Sequence, residues 1–290
     1  MPRWRANVAL VFVAFVWGAT FVVVKRALND ISTFYFLALR FALAAACLLV
    51  LFTRAFRAAG TTAVWRGLRG GAVTGILLWL GYTLQTFGLR YTTAGKSGFL
   101  TGFYIVLVPP IGAVVFRRRP QWVEVMGVLM ASVGIGLLTL PRLGGGFQMN
   151  RGDLLTIGCA VAYAFHLLVL GYYSQRERYE AVAVGQIACT ALLSALALPF
   201  DPPHAVWSRT VIFAIVLTAV FATAVAFGLQ TWAQQYTTPT RAALIFALEP
   251  VFALATAVLA GGETLTISGL AGGALILAGI LAVELKRAPG

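Results

Sequence analysis

Charge is scarce in this sequence. Only 11% of its 290 residues are charged and nine are acidic, where an ordinary soluble domain carries about 25% charged residues. Histidine is nearly absent, with only His166 and His204, and no His-Glu-x-x-His pattern occurs. The common zinc-hydrolase motif is therefore excluded, and neither a metal nor any other cofactor is expected. Cysteine is limited to Cys47, Cys159 and Cys189, each inside an apolar stretch. A disulfide scaffold is excluded, and the thiols are expected to be inert core groups. Long polar linkers are missing too, which leaves no room for a separate soluble domain.

What the sequence has instead is apolar length. Hydrophobic residues make up 60% of the chain, too many for a water-soluble globule and enough for several spans at about 20 residues each. Disorder and collagen are excluded by the same composition. The net charge of +13 would point to nucleic acid in a soluble protein, but the basic residues are scattered. Their longest run is Arg117, Arg118 and Arg119, and no basic and aromatic surface of nucleic-acid size is present. Cytoplasmic loops of membrane proteins collect Lys and Arg, which explains the charge without a nucleic-acid partner.

Walking from charge to charge gives ten segments: Asn7 to Val24, Ile31 to Thr53, Gly70 to Leu89, Ser97 to Phe116, Val125 to Pro141, Leu154 to Ser174, Ala181 to Phe200, Thr210 to about Gln234, Ala242 to Gly261, and Leu265 to Val283. The eighth and ninth are divided only by a turn at Thr237, Thr238, Pro239 and Thr240. Arg54 to Arg69 and Arg142 to Asp153 are the longest expected loops, the second marked by Gly144, Gly145 and Gly146. The first segment, led by Arg3, Trp4 and Arg5, runs a full span and reads as a retained helix. With a cytoplasmic N-terminus, 14 of the 22 basic residues fall on that side and seven on the other, with Arg40 inside a span. That bias places both termini in the cytoplasm. Trp4, Trp65, Trp122 and Trp207 fall at span edges, where interfacial anchors belong.

The sequence also repeats itself. Leu84-Gln85-Thr86 and Tyr91-Thr92-Thr93 recur as Leu229-Gln230-Thr231 and Tyr236-Thr237-Thr238, half the chain length further on. Lys96 matches Arg241, Gly127 matches Gly272, and Gly134 matches Gly279. With one extra residue of offset, Asn7 falls on Asp153 and Trp17 on Tyr163. Residues 1–145 and 146–290 are thus read as two copies of five spans each, forming one membrane domain. Five is odd, so the copies must be antiparallel. The expected fold is an all-α integral membrane protein, with ten transmembrane helices as two inverted five-helix repeats. Inverted repeats are a transporter architecture, with the substrate site near the midplane at their interface.

Trp17-Gly18 followed by Lys25, Arg40 in the second span, the two Tyr-Thr-Thr turns, Glu249-Pro250, and Gly262-Glu263 before a glycine-rich last span carry a resemblance. The whole chain resembles the EamA-type members of the drug/metabolite transporter superfamily, and within it is most similar to YddG-like amino acid exporters. The resemblance implies export of aromatic amino acids and related metabolites across the cytoplasmic membrane of a bacterium.

Candidate site residues follow from polar and aromatic groups inside spans, which usually face a bundle interior or a water-filled cavity. Trp79, Tyr82 and Gln85 are spaced to share a helix face, and Phe227, Gln230 and Gln234 form the matching stripe. Amide and aromatic lining suits an amino acid backbone with an apolar side chain, although glutamines also bond helices together. Trp17, Tyr163, His166, Phe99 and Tyr104 are further candidates for substrate binding, with His166 a candidate for proton coupling. Arg40 and Glu249 read either as a buried pair that fixes helix positions or as coupling charges, Glu249 being a proton or amine site. Pro109, Pro110 and Pro250 are expected to bend their helices.

Gly95-Lys96-Ser97 fails as a phosphate-binding loop, because position 90 is arginine and no strand precedes it. Lys96 and Arg241 are instead expected to cap helix entrances. The expected activity is secondary transport of a small molecule through the lipid bilayer by alternating access, by a monomer or homodimer. The alternatives are export of another metabolite or drug class, an intramembrane enzyme, or a channel.

Overall fold

The computed structural model describes residues 3–115, 117, 120–139, 149–259 and 266–285. Arg118, Arg119, Arg142, Gly144, Gly145, Gly146, Gly262, Glu263 and the basic pair Lys286 and Arg287 lie outside these. Among the described residues ten helices are long and apolar enough to cross a membrane. They are α1 (Arg3–Ala27), α2 (Thr33–Arg57), α3 (Thr61–Tyr91), α4 (Lys96–Val115), α5 (Trp122–Thr139), α6 (Arg151–Ser174), α7 (Tyr179–Leu196), α8 (Arg209–Ala233), α9 (Pro239–Thr256) and α10 (Ile267–Leu285). The β content of the described residues is one isolated bridge between Ile31 and Ala205.

Exposed apolar side chains such as Leu51, Val114, Leu192 and Leu281 cover the outside of the bundle. A surface of this kind is stable against lipid rather than water. Trp4, Trp122 and Trp207 are exposed at or next to helix starts, and Trp65 is exposed just over one turn into its helix. The expected loop from Arg54 to Arg69 is instead mostly helical, since α2 ends at Arg57 and α3 begins at Thr61. Helices outrun the apolar core where long basic side chains can reach the interface, so polarity alone marks their ends too early.

The repeated Tyr-Thr-Thr turns have a local reason. Thr93 caps the helix that opens α4 by accepting from the Lys96 amide at 3.2 Å, and Thr238 does the same for Arg241 at 3.3 Å. Both following helices are broken at matching places, at Gly102–Phe103 in α4 and Ala247–Leu248 in α9. Tight i to i+3 bonds mark the breaks, from Ile105 to Gly102 in α4 and from Ala247 to Leu244 in α9. The bend in α4 thus precedes Pro109 and Pro110. In α9 Pro250, which has no amide hydrogen to offer, follows the break after one residue, Glu249.

Helix α5 packs on α10, and α3 packs on α6 and α7. In the first contact a Cβ on Gly127 would lie 2.9 Å from the Gly279 carbonyl, and one on Gly134 would lie 2.6 Å from that of Gly272. The backbones therefore touch, which larger side chains forbid. The contact is reciprocal and antiparallel, because each glycine meets the repeat counterpart of the other. Two apolar clusters form the interior, and Trp17 and Tyr163 pack against both. The space between those clusters is where the site lies.

Candidate functional site

A central cavity, open at its mouth, is lined from α1, α2, α3, α4, α6, α8 and α9. Much of the lining comes in pairs from positions 145 or 146 residues apart. Trp17 is matched by Tyr163, Thr20 by His166, Phe21 by Leu167, Tyr82 by Phe227, Gln85 by Gln230, Thr101 by Phe246, and Tyr104 by Glu249. Val24, Arg40, Leu78, Thr86 and Leu89 complete the wall.

Gln85 ties three helices together. Its amide nitrogen donates to Thr101 Oγ1 at 3.1 Å, and its oxygen accepts from the Tyr163 hydroxyl at 3.2 Å. Tyr163 reaches that position because α3 has glycine opposite it: a Cβ on Gly81 would sit 2.3 Å from Tyr163 Cε1. Trp17 stands across the cavity, its ring 5.3 Å from Phe227 and 5.0 Å from Phe246 between centroids. His166 Nε2 donates to Gln186 Oε1 at 2.9 Å, and the Gln186 amide donates to Thr231 Oγ1 at 2.9 Å. His166 thus lines the cavity while being held from behind.

Within α8, residues Val220–Val225 form a π-helical turn. Such turns shift the backbone hydrogen-bond register and leave groups for other partners. Here the Ala222 carbonyl accepts from Trp17 Nε1 at 2.9 Å and from Arg40 Nη2 at 3.4 Å. Arg40 Nε donates to Thr223 Oγ1 at 2.8 Å, and Nη2 also donates to the Tyr82 hydroxyl at 3.1 Å. The guanidinium lies 4.7 Å from the Tyr82 ring centroid, a cation–π contact.

The expected pairing of Arg40 with Glu249 does not form: among the described residues no ion pair joins them. The π-helical turn and Tyr82 take up the guanidinium instead. Glu249 opens the second segment of α9, where the positive end of the helix dipole favours a carboxylate. Its side chain lines the cavity.

Three sequence-predicted lining residues lie elsewhere. Trp79 stacks on Phe34 at 6.5 Å between centroids, away from the cavity. A step of three residues falls short of a full helical turn, so the stripe drifts, and Leu78 rather than Trp79 precedes Tyr82 on the lining face. Phe99 packs into an apolar cluster, being two residues and more than a right angle around the helix from Thr101. Gln234 is also off the cavity, donating to the Leu167 carbonyl at 3.2 Å. Sequence reasoning missed Val24, Leu78, Thr86 and Leu89, and also Thr20, Phe21, Thr101, Leu167 and Phe246. The repeat offset relates Thr20 to His166, Phe21 to Leu167 and Thr101 to Phe246.

The two helix entrances are built alike. Lys25 donates to the carbonyls of Leu89, Arg90 and Thr92, and Gln175 donates to those of Gln234 and Thr237, the repeat counterparts of Leu89 and Thr92. Lys96 pairs with Asp153, which also accepts from the Thr92 hydroxyl at 2.8 Å. Arg241 lies 3.8 Å from Glu284, itself bonded by Asn7 at 2.9 Å. A second cavity, about 1110 Å³ with its mouth, lies at the opposite end of the bundle beside Glu124, Gln175 and Pro239. On α6, Leu167 lines the first cavity and the adjacent Leu168 the second.

The EamA-like transporter family matches residues 4–140 and again 150–285. An "uncharacterized transporter" of Archaeoglobus fulgidus is 37% identical over 99% of this chain and 88% of its own length. A "probable amino-acid metabolite efflux pump" of Salmonella typhimurium is 29% identical over 97% of this chain and 94% of its own. One solved crystal structure shares the fold with a TM-score of 0.80 at 21% identity, covering 98% of each chain.

Proposed function

Since this chain belongs to the EamA-like transporter family, and is therefore a multi-pass membrane transporter, we propose that it exports aromatic and other hydrophobic amino acids, as YddG-like exporters do. It works by alternating access about the central cavity. The observation that carries this reading is the paired lining: seven positions in each half meet their repeat counterparts around one space. A site on a pseudo-two-fold axis, built from discontinuous helices, is what an inverted-repeat carrier needs.

Several features support the inverted arrangement. The family matches twice along the chain. The α5–α10 contact exchanges repeat-related glycines reciprocally, as a two-fold axis requires. The 14-to-seven division of basic residues supports cytoplasmic termini in the inner membrane. In that orientation the central cavity lies toward the outer half of the bundle and the second cavity at the cytoplasmic end. The two cavities approach each other on α6, where Leu167 lines one and Leu168 the other, and rocking of one half against the other would switch exposure there.

The lining supports this substrate class. Trp17, Phe227 and Phe246 offer an apolar wall, while Gln85, Gln230 and Tyr82 offer polar groups to a backbone. The amino-acid metabolite efflux pump among the relatives supports the same class. The test is uptake of labelled amino acids into proteoliposomes with and without a proton gradient. Saturable movement of phenylalanine or tryptophan is expected. Movement of a different metabolite class, with no competition from aromatic amino acids, would overturn the substrate assignment.

A further inference from the structure

The cavity is lined by a guanidinium and a carboxyl group that do not pair with each other. Arg40 is 4% exposed, yet its bonds use only Nε and Nη2. Among the described residues no acceptor meets Nη1, and no carboxylate pairs with the guanidinium. All its acceptors are neutral: a threonine hydroxyl, a tyrosine hydroxyl and a backbone carbonyl. A buried guanidinium satisfied only by neutral groups retains a strong demand for an anion. The π-helical turn of α8 and Tyr82 hold Nε and Nη2 and leave Nη1 without an acceptor among the described residues, on a side chain that lines the cavity. Glu249 is the complement, since its carboxylate lines the same cavity with no hydrogen-bond partner among the described residues.

We propose that Arg40 and Glu249 form a zwitterion receptor, with Arg40 Nη1 taking the α-carboxylate of the substrate and the Glu249 carboxylate taking its α-ammonium group. This assignment rests on the reading of the central cavity as the substrate site and sharpens its chemistry. An ordinary hydrophobic pocket would accept an aromatic amine or an aromatic acid about as well as the amino acid. A receptor with one fixed charge of each sign rejects compounds lacking either end, because one buried charge then stays uncompensated. The aromatic wall of Trp17, Phe227 and Phe246 takes the side chain, and one ring is exchanged for another at little cost. The receptor is therefore strict about the amino acid backbone and permissive about the side chain.

The experiment uses the full-length protein in proteoliposomes and measures inhibition of labelled phenylalanine transport by phenylalanine, phenylalaninamide, phenethylamine and 3-phenylpropionate. Wild-type protein is expected to prefer phenylalanine over each analogue by about tenfold or more, the order expected for a charge-assisted bond. Arg40→Gln is expected to erase the preference over phenylalaninamide and phenethylamine, while keeping that over 3-phenylpropionate. Glu249→Gln is expected to do the converse, and Arg40→Lys to restore part of the carboxylate preference. Each readout is a ratio and does not depend on the amount of folded protein.

A wild-type protein that transports phenylalanine but binds the four compounds equally overturns the proposal without any variant. Variants that weaken all four compounds by one factor also overturn the receptor, while leaving the transport reading intact. If labelled phenylalanine does not move at all, the substrate reading fails and the receptor falls with it.

Discussion

Gln85 is held by Thr101 on one side and Tyr163 on the other, so its position depends on residues from both halves of the chain. Gln85→Ala removes both bonds and is expected to raise KM for the transported amino acid about tenfold, at about 1 to 2 kcal/mol for the lost contacts. Proteoliposome kinetics check this, and saturable transport with unchanged KM would remove Gln85 from the lining role. Gly81→Ala tests the seat of Tyr163. Its new methyl group would lie 2.3 Å from the ring, so ring or helix must move at a cost of about 1 to 3 kcal/mol. A lower Tm in detergent together with weaker transport is expected. At this scale the sequence made the repeated polar positions visible, because Leu-Gln-Thr in both halves marks Gln85 and Gln230 as counterparts. Trp79 was misplaced because a three-residue stripe drifts around a helix, and the partners of Arg40 were hidden because they depend on a backbone turn.

That turn belongs to the scale of the helix. Nothing in Val-Phe-Ala-Thr-Ala-Val distinguishes a π-helical turn from an α-helical one, since both present the same apolar content. Its cause lies in tertiary contact, with Trp17 and Arg40 both claiming the Ala222 carbonyl. The breaks in α4 and α9 were partly legible from Pro109, Pro110 and Pro250, although the α4 break falls at Gly102–Phe103. At the end of α3, α4 and α6 are fastened by Lys96 and Asp153. Asp153→Asn is expected to destabilise the protein by about 1 to 3 kcal/mol, the range for a charge-assisted bond. Thermal unfolding of Asp153→Asn, Lys96→Met and the double variant forms a cycle. The double variant is expected to lose less than the sum of the two, and strict additivity would show that the pair is not coupled.

For the molecule as a whole, the number of spans was legible because bilayer thickness and backbone satisfaction restrict what an apolar chain can form. The depth and shape of the cavity were not, since they depend on how broken helices and small residues fit together. Gly134 illustrates this: only the fold shows that it meets the backbone of Gly272. Gly134→Leu is expected to push α5 from α10 and lower Tm, while a similar change at Gly98, where a Cβ meets nothing within 4 Å, is expected to be tolerated. The central claim is that one pseudo-symmetric cavity serves as the substrate site of a carrier, exposed to each side in turn. Counterflow tests it most directly: proteoliposomes loaded with unlabelled phenylalanine are diluted into a trace of labelled phenylalanine. The account predicts transient accumulation of label above equilibrium, weakened by Gln85→Ala. Label that only equilibrates, with flux linear in concentration and indifferent to the load, would contradict it and indicate a pore.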